Sequence, residues 1–214
     1  MSKSDLKKEI PIFPLSNVIF FPKTTLPLNI FEKRYLQMVN DSVSENRLIG
    51  MVQPKLVTKD NSSNRAEIFT IGCVGKISSF NETDDGRIIL TLNGISRFKV
   101  EKELEVNKLY RKFLVNYDFF KEDNLENKSI NQNLNDLFNK IKIVFKKQGL
   151  ELDWKEIGDF EIEELINTIS MIAPFTSEEK QTLLEAINLH QRVETLKKIV
   201  EIYLVDDYQS ITVQ

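Results

Sequence analysis

Cysteine and histidine are almost missing from this chain of 214 residues, which carries one of each, Cys73 and His190. A single cysteine excludes an intramolecular disulfide and any cysteine-based zinc site, and fits a reducing, cytoplasmic setting. No apolar run approaches the roughly 18 residues of a membrane-spanning helix. The opening residues, MSKSDLKKE, lack the apolar core of a signal peptide. Neither sign of charge dominates: 29 Lys and Arg stand against 32 Asp and Glu, for a net charge of −3. That balance argues against a dedicated nucleic-acid binder, which carries a basic domain or stripe, and no membrane partner is expected. Glycine is scarce too, at seven residues.

Proline is present and concentrated. Four of the six prolines, Pro11, Pro14, Pro22 and Pro27, fall between short apolar runs in Ile10–Val39. Proline cannot donate to a β-ladder, so it sits at strand ends, bulges or edges. This stretch reads as brief strands with fixed corners over 10–31. Phe31, Tyr35, Met38 and Val39 then recur at helical spacing and predict a helix from about Glu32 to Val43. Leu48–Gln53 predicts a strand closed by Pro54, and residues 55–64 a polar loop. The run Ala66–Phe80 reads as a strand whose interleaved Gly72 and Gly75 mark bends. Asp85-Gly86 is a hairpin signal, and Gly94 marks the next break. Two further strands follow. The first 120 residues therefore predict about seven short strands with one inserted helix, forming a twisted, partly closed sheet.

The second half changes period. Residues 121–133 read as a polar linker. Leu134, Leu137, Phe138, Ile141, Val144 and Phe145 mark one helix face, ended by Gly149. Ile162, Leu165, Ile166, Ile169 and Ile172 mark a second helix, stopped by Pro174. Thr176-Ser177-Glu178-Glu179 is a capping box. From it a long helix with an apolar seam through Leu189, Val193, Leu196, Val200 and Tyr203 runs on, bent near Asn188. Domains are expected at 1–120 and 121–205, with an extended tail over 206–214. Strands first and helices last is an α+β arrangement.

Four separated motifs carry a family resemblance. They are the opening segment, with Pro14-Leu15, Phe21-Pro22 and Leu26-Pro27-Leu28-Asn29-Ile30-Phe31-Glu32; Gly72-Cys73-Val74-Gly75-Lys76-Ile77; Gly94-Ile95-Ser96-Arg97-Phe98; and Ser177–Glu185. In this order they resemble the N-terminal substrate-binding domain of the ATP-dependent protease Lon. The resemblance implies a PUA-like β-sheet or pseudo-barrel followed by a helical bundle. It implies binding of unfolded or extended polypeptides, with a protease or its clients as partners, and no cofactor. Lys23, Asn29 and Lys33 depart from the family's usual glycine, histidine and proline.

Catalytic readings are weak. Around Gly75-Lys76 a phosphate loop would need glycine where Thr70 stands and Ser or Thr where Ile77 stands. Cys73 reads as a small core hydrophobe, and nothing brings His190 to it. Glu32 suits the positive end of a helix dipole, and Arg34 and Arg97 read as partners of carboxylates or carbonyls. The ATPase and Ser–Lys protease modules of full-length Lon enzymes are absent from these residues. A non-catalytic polypeptide-binding protein is therefore expected, through Phe20, Phe21, Phe31 and Tyr35 or by strand addition at a sheet edge. The alternatives are a hydrolase on the same scaffold and an RNA-binding PUA-like protein.

Overall fold

The structure, a computed structural model, describes residues 6–55, 66–124, 133–150, 153–154 and 157–210. The chain divides into two compact units, Met1–Leu125 and Glu126–Gln214.

Among the described residues the first unit has six strands and one α-helix: β1 (Glu9–Pro14), β2 (Thr25–Ile30), α1 (Lys33–Ser44), β3 (Leu48–Val52), β4 (Ile71–Glu82), β5 (Ile88–Leu104) and β6 (Arg111–Asn116). A 3-10 segment, Asp118–Asn124, follows. The strands form one mixed sheet in the order β2-β5-β4-β3-β1-β6, and β5 also pairs with β6. The second pairing closes a ring of β1, β3, β4, β5 and β6. Only β1 and β3 run parallel. Ile10, Ile12, Leu48, Val52, Val74, Phe98, Phe113 and Val115 fill the interior. Gly50 leaves room there, because a Cβ on it would sit 2.6 Å from Ile12 Cδ1. All five residues of β3 are buried, which explains its unbroken apolar run.

One strand replaces two expected ones. Gly94 does not end β5, which runs through it for 17 residues. The glycine instead permits a close approach: a Cβ would lie 1.9 Å from the Phe21 carbonyl oxygen. Register shifts between Val74 and Gly75, and between Val100 and Lys102, bend β5. Residues 88–93 thus pair with β2, residues 88–99 with β4 and residues 99–104 with β6.

The loop beside Gly94 carries a turn at Lys23, whose φ is 63°. Lys23 N–H donates to the Gly94 carbonyl (3.1 Å) and Gly94 N–H to the Thr24 carbonyl (2.9 Å). The left-handed turn is thus kept with lysine where a glycine would be unstrained. Lys23→Gly is expected to stabilise the protein by about 0.5–1 kcal/mol, net of the added freedom of the unfolded chain. Chemical denaturation checks it, and a loss of stability would reject the strain argument.

The second unit contains α2 (Asn135–Lys147), α3 (Ile162–Ile172), α4 (Ser177–Glu185) and α5 (Leu189–Ser210), with a 3-10 turn at Ile157–Asp159. Helix α2 ends in a Schellman motif: Gly149, at φ 68°, donates to the Lys146 carbonyl and Leu150 to that of Phe145. The Thr176 capping box forms, with Glu179 N–H on Thr176 Oγ1 (3.2 Å) and Thr176 N–H on Glu179 Oε2 (2.8 Å). The expected single long helix is two helices. Ala186 leaves helical geometry with ψ 125°, and Asn188 Oδ1 caps α5 by accepting from Gln191 N–H (2.9 Å). The backbone stays helical to Ser210, so the extended tail expected from 206 is helical in its first half; neither glycine nor proline stands there to stop it. Buried Arg192 joins three helices, donating to Asn167 Oδ1 (2.7 Å) and to the Leu183 carbonyl (3.2 Å).

The first unit extends past the expected boundary at 120. Asp123 is buried and binds Arg97 in β5, with Nη2 to Oδ1 at 2.7 Å, Nε to Oδ2 at 2.9 Å and the Arg97 backbone N–H to Oδ2 at 2.9 Å. The Arg97 guanidinium also lies over the Phe120 ring, 4.0 Å from its centre. Part of the stretch read as linker is thereby pinned to the sheet. Most of the polar loop expected over 55–64 lies outside the described residues.

Candidate functional site

The four aromatic candidates separate by burial. Phe20 is 1% exposed and Phe21 0%, both in the β1–β2 loop, and Tyr35 on α1 is 6% exposed. Tyr35 packs on Phe13 with ring centres 4.2 Å apart. These three belong to the core, and the expectation that they form a binding surface is corrected: the proline-fixed corners fold their apolar runs inward. Phe31, just ahead of α1, is 64% exposed.

Arg34, three residues further on, borders a different feature. The connection from β5 to β6 folds onto α1, where Leu109 N–H donates to Gln37 Oε1 (2.9 Å). Asp41 of α1 takes both the Lys108 ammonium (2.8 Å) and the Tyr110 hydroxyl (2.9 Å) on Oδ2. Between this connection and the start of α1 lies a groove of about 480 Å³, lined by Arg34 and by residues of 103–111. Arg111 forms a two-pronged pair with Glu103 (2.9 and 2.7 Å) and donates to the Ala66 carbonyl (2.9 Å). Arg34 pairs with Glu32 at 2.8 Å. Three cations of the groove are thus neutralised by carboxylates of the same unit. Beside them Leu109 is 64% exposed, and Val106 is exposed as well.

The electrostatics follow these contacts. The hydrogen bond from Lys108 holds the Asp41 carboxyl below its ordinary range, reinforced by that from Tyr110. Burial raises the Tyr110 hydroxyl, and the Asp41 carboxylate raises it further. Burial also raises Tyr35, against the opposing charge of Arg34. A carboxylate with a depressed folded pKa stabilises above its unfolded pKa, and that stability is lost as pH falls through the folded value. Asp41→Asn is therefore expected to flatten the fall of the urea midpoint between pH 5 and pH 2, by under about 1 kcal/mol for so accessible a group. An unchanged acid profile would show that Asp41 does not hold the connection.

The nine groove-lining residues include no serine, cysteine or histidine. Cys73 is fully buried in β4, its thiol directed at the Val74 carbonyl, while His190 is exposed in the second unit. Among the described residues no cluster of three His, Cys, Asp or Glu has metal-holding geometry, and no helix is long and apolar enough to cross a membrane. Sequence reasoning missed Val106 and Leu109. Asn107 and Lys108 between two apolar runs mark a turn there, but only the contacts with α1 show that the turn builds a groove.

A closed mixed sheet with one covering helix, followed by separate helices, is the α+β fold of Lon N-terminal domains. The protein resembles the N-terminal domain of a Mycobacterium avium complex Lon protease with a TM-score of 0.61 at 12% identity, over 91% of this chain and 98% of that one. It resembles a Lon N-terminal domain protein from Xanthomonas campestris with a TM-score of 0.59 at 20% identity, over 88% and 96%. The chain belongs to the family of the ATP-dependent protease La (LON) substrate-binding domain, whose model matches residues 9–201. Among full-length relatives, the Lon protease of Desulfosudis oleivorans is 24% identical over 194 residues and that of Dictyoglomus thermophilum 26% over 190. The aligned residues are 91% and 89% of this chain but 23% and 24% of those proteins, so the chain spans about a quarter of their length.

Proposed function

We propose that this protein is a non-catalytic polypeptide-binding module that holds unfolded or extended segments of protein in the groove between α1 and the β5–β6 connection. The observation that carries the reading is the exposure of Val106 and Leu109 in the lining of a groove whose cations are already paired, with exposed Phe31 three residues before Arg34 of the same lining. Large apolar side chains exposed together on a charged surface mark an interaction site. A groove whose cations are paired does not require an acidic client and suits clients that share exposed hydrophobic segments. Membership of the substrate-binding family supports the same reading, and clients of a protease, or the protease itself, are the natural partners. The groove lining holds no serine, cysteine or histidine, and its lysine and one of its carboxylates are engaged in ion pairs, which supports binding without bond cleavage.

The test is fluorescence anisotropy with a labelled, permanently unfolded polypeptide. Burial of a leucine is worth about 1.5–3 kcal/mol, so Leu109→Ser is expected to weaken binding roughly tenfold or more, and Phe31→Ser comparably. Peptide hydrolysis is expected to be nil with and without ATP. Unaltered binding by both variants would remove the groove from the proposal, and turnover that survives purification would remove the non-catalytic reading.

A further inference from the structure

Residues 88–93 of β5 lie between β2 and the end of β4, making a three-stranded extension beyond the closed ring. Its outer strands expose two edges, and their backbone groups can be phased. Thr83 N–H donates to the Arg87 carbonyl (2.9 Å). Hydrogen-bonded pairs therefore recur at Asn81–Ile89 and Ser79–Thr91. On the other side the bond from Gly94 N–H to the Thr24 carbonyl sets hydrogen-bonded pairs at Leu26–Leu92, Leu28–Leu90 and Ile30–Ile88. The two phases interlock on β5, alternate residues turning to β4 and to β2.

What faces outward follows. On β2 these are Thr25, Pro27 and Asn29, and Pro27 has no N–H at the centre of the row. A proline so placed blocks strand addition. On β4 the outward residues are Phe80 and Glu82, each with both N–H and carbonyl. Residues 78–82 are all exposed and contain no proline. Phe80 is 47% exposed and lies on the same face as buried Leu90 and Ile88. Glu82 shares that face two residues on. Asp84 stands exposed beyond it, and Asp85 pairs with Arg87 (2.9 Å), leaving the hairpin tip acidic.

We infer that β4 accepts an extended polypeptide as an added strand along Ser79–Glu82, and that the segment it takes carries an apolar residue and a lysine or arginine two positions apart. The backbone supplies the hydrogen bonds. The two-residue repeat of a strand sets the apolar side chain beside Phe80 and the basic one beside Glu82. The register shift between Ile77 and Ser79 ends the edge, so the segment is short. The inference rests on the polypeptide-binding reading but uses backbone groups outside the groove.

Anisotropy on the full chain tests it, with a labelled pentapeptide of alternating threonines holding one valine and one lysine two positions apart. N-methylation of the alternate amides that face β4 is expected to weaken binding at least tenfold, while methylation of the other set leaves it unchanged. Phe80→Pro, which removes an N–H that faces solvent, is expected to match that loss. Glu82→Lys is expected to reverse the preference in favour of a glutamate-containing peptide. Leu109→Ser is expected to leave the difference between the two methylated peptides unchanged. Equal binding of both methylated peptides overturns the inference whether or not the proline variant folds. So does absence of binding to the unmodified peptide. Loss confined to Leu109→Ser overturns it while leaving the groove reading standing.

Discussion

Asp123→Ala is expected to lower the stability of the β-rich unit by about 3–5 kcal/mol, the cost of stranding one member of a buried ion pair. Both side chains are 1% exposed. The Asp123 carboxylate accepts from the Arg97 side chain at Nε and Nη2 and from the Arg97 backbone N–H. Without it the guanidinium stays buried against Phe120 with its principal charge partner gone. The cost lies in the orphaned charge rather than in the pair's attraction, and the double variant separates the two. Arg97→Met with Asp123→Leu removes both charges and is expected to recover most of the loss. Urea denaturation of the three variants measures this. A single-variant cost below about 1 kcal/mol would show that water or a shifted neighbour takes the place of Asp123.

The second large effect distinguishes the core from the candidate binding surface within one short segment. Phe20→Ala is expected to cost about 3–5 kcal/mol, as for other large-to-small changes of buried aromatics. Its ring fills the space over Gly75, where a Cβ would meet Phe20 Cε1 at 2.5 Å. Phe31→Ala is expected to leave stability within about 0.5 kcal/mol, while weakening capture of unfolded polypeptide. Denaturation midpoints and anisotropy on the same two variants decide the matter. Equal destabilisation would mean that Phe31 is structural, and unaffected capture would remove it from the site.

These two cases also show where the sequence was informative. Local chemistry was legible: the capping box at Thr176, the hairpin turn at Gly86 and the Gly149 helix stop depend on residues a few positions apart, and all three form. The α+β order and the family followed from motifs of the same local kind. Non-local geometry was not legible. Arg97 and Asp123 are 26 residues apart, and Asp123 sits in a polar stretch that has the composition of a linker. Gly94 reads as a break by composition, yet its role is to let another backbone pass close by. Phe20, Phe21 and Phe31 look alike in sequence; only the fold of the β1–β2 loop tells the buried rings from the exposed one. The groove needs contacts between Gln37 or Asp41 and Lys108–Tyr110, about 70 residues away, which no periodicity announces.

The ladder between β1 and β6 has a mechanical consequence. Glu9 lies opposite Leu114 and Ile12 opposite Arg111, so the chain enters and leaves at the same end of this antiparallel pair. Tension between the two flanks would peel the ladder open one pair at a time instead of shearing its pairs together. Asp123 lies beyond β6 in the chain. A pull from the C-terminal side therefore loads its bonds to Arg97 before any force reaches β6, and the seam that would yield most easily is shielded by a buried ion pair.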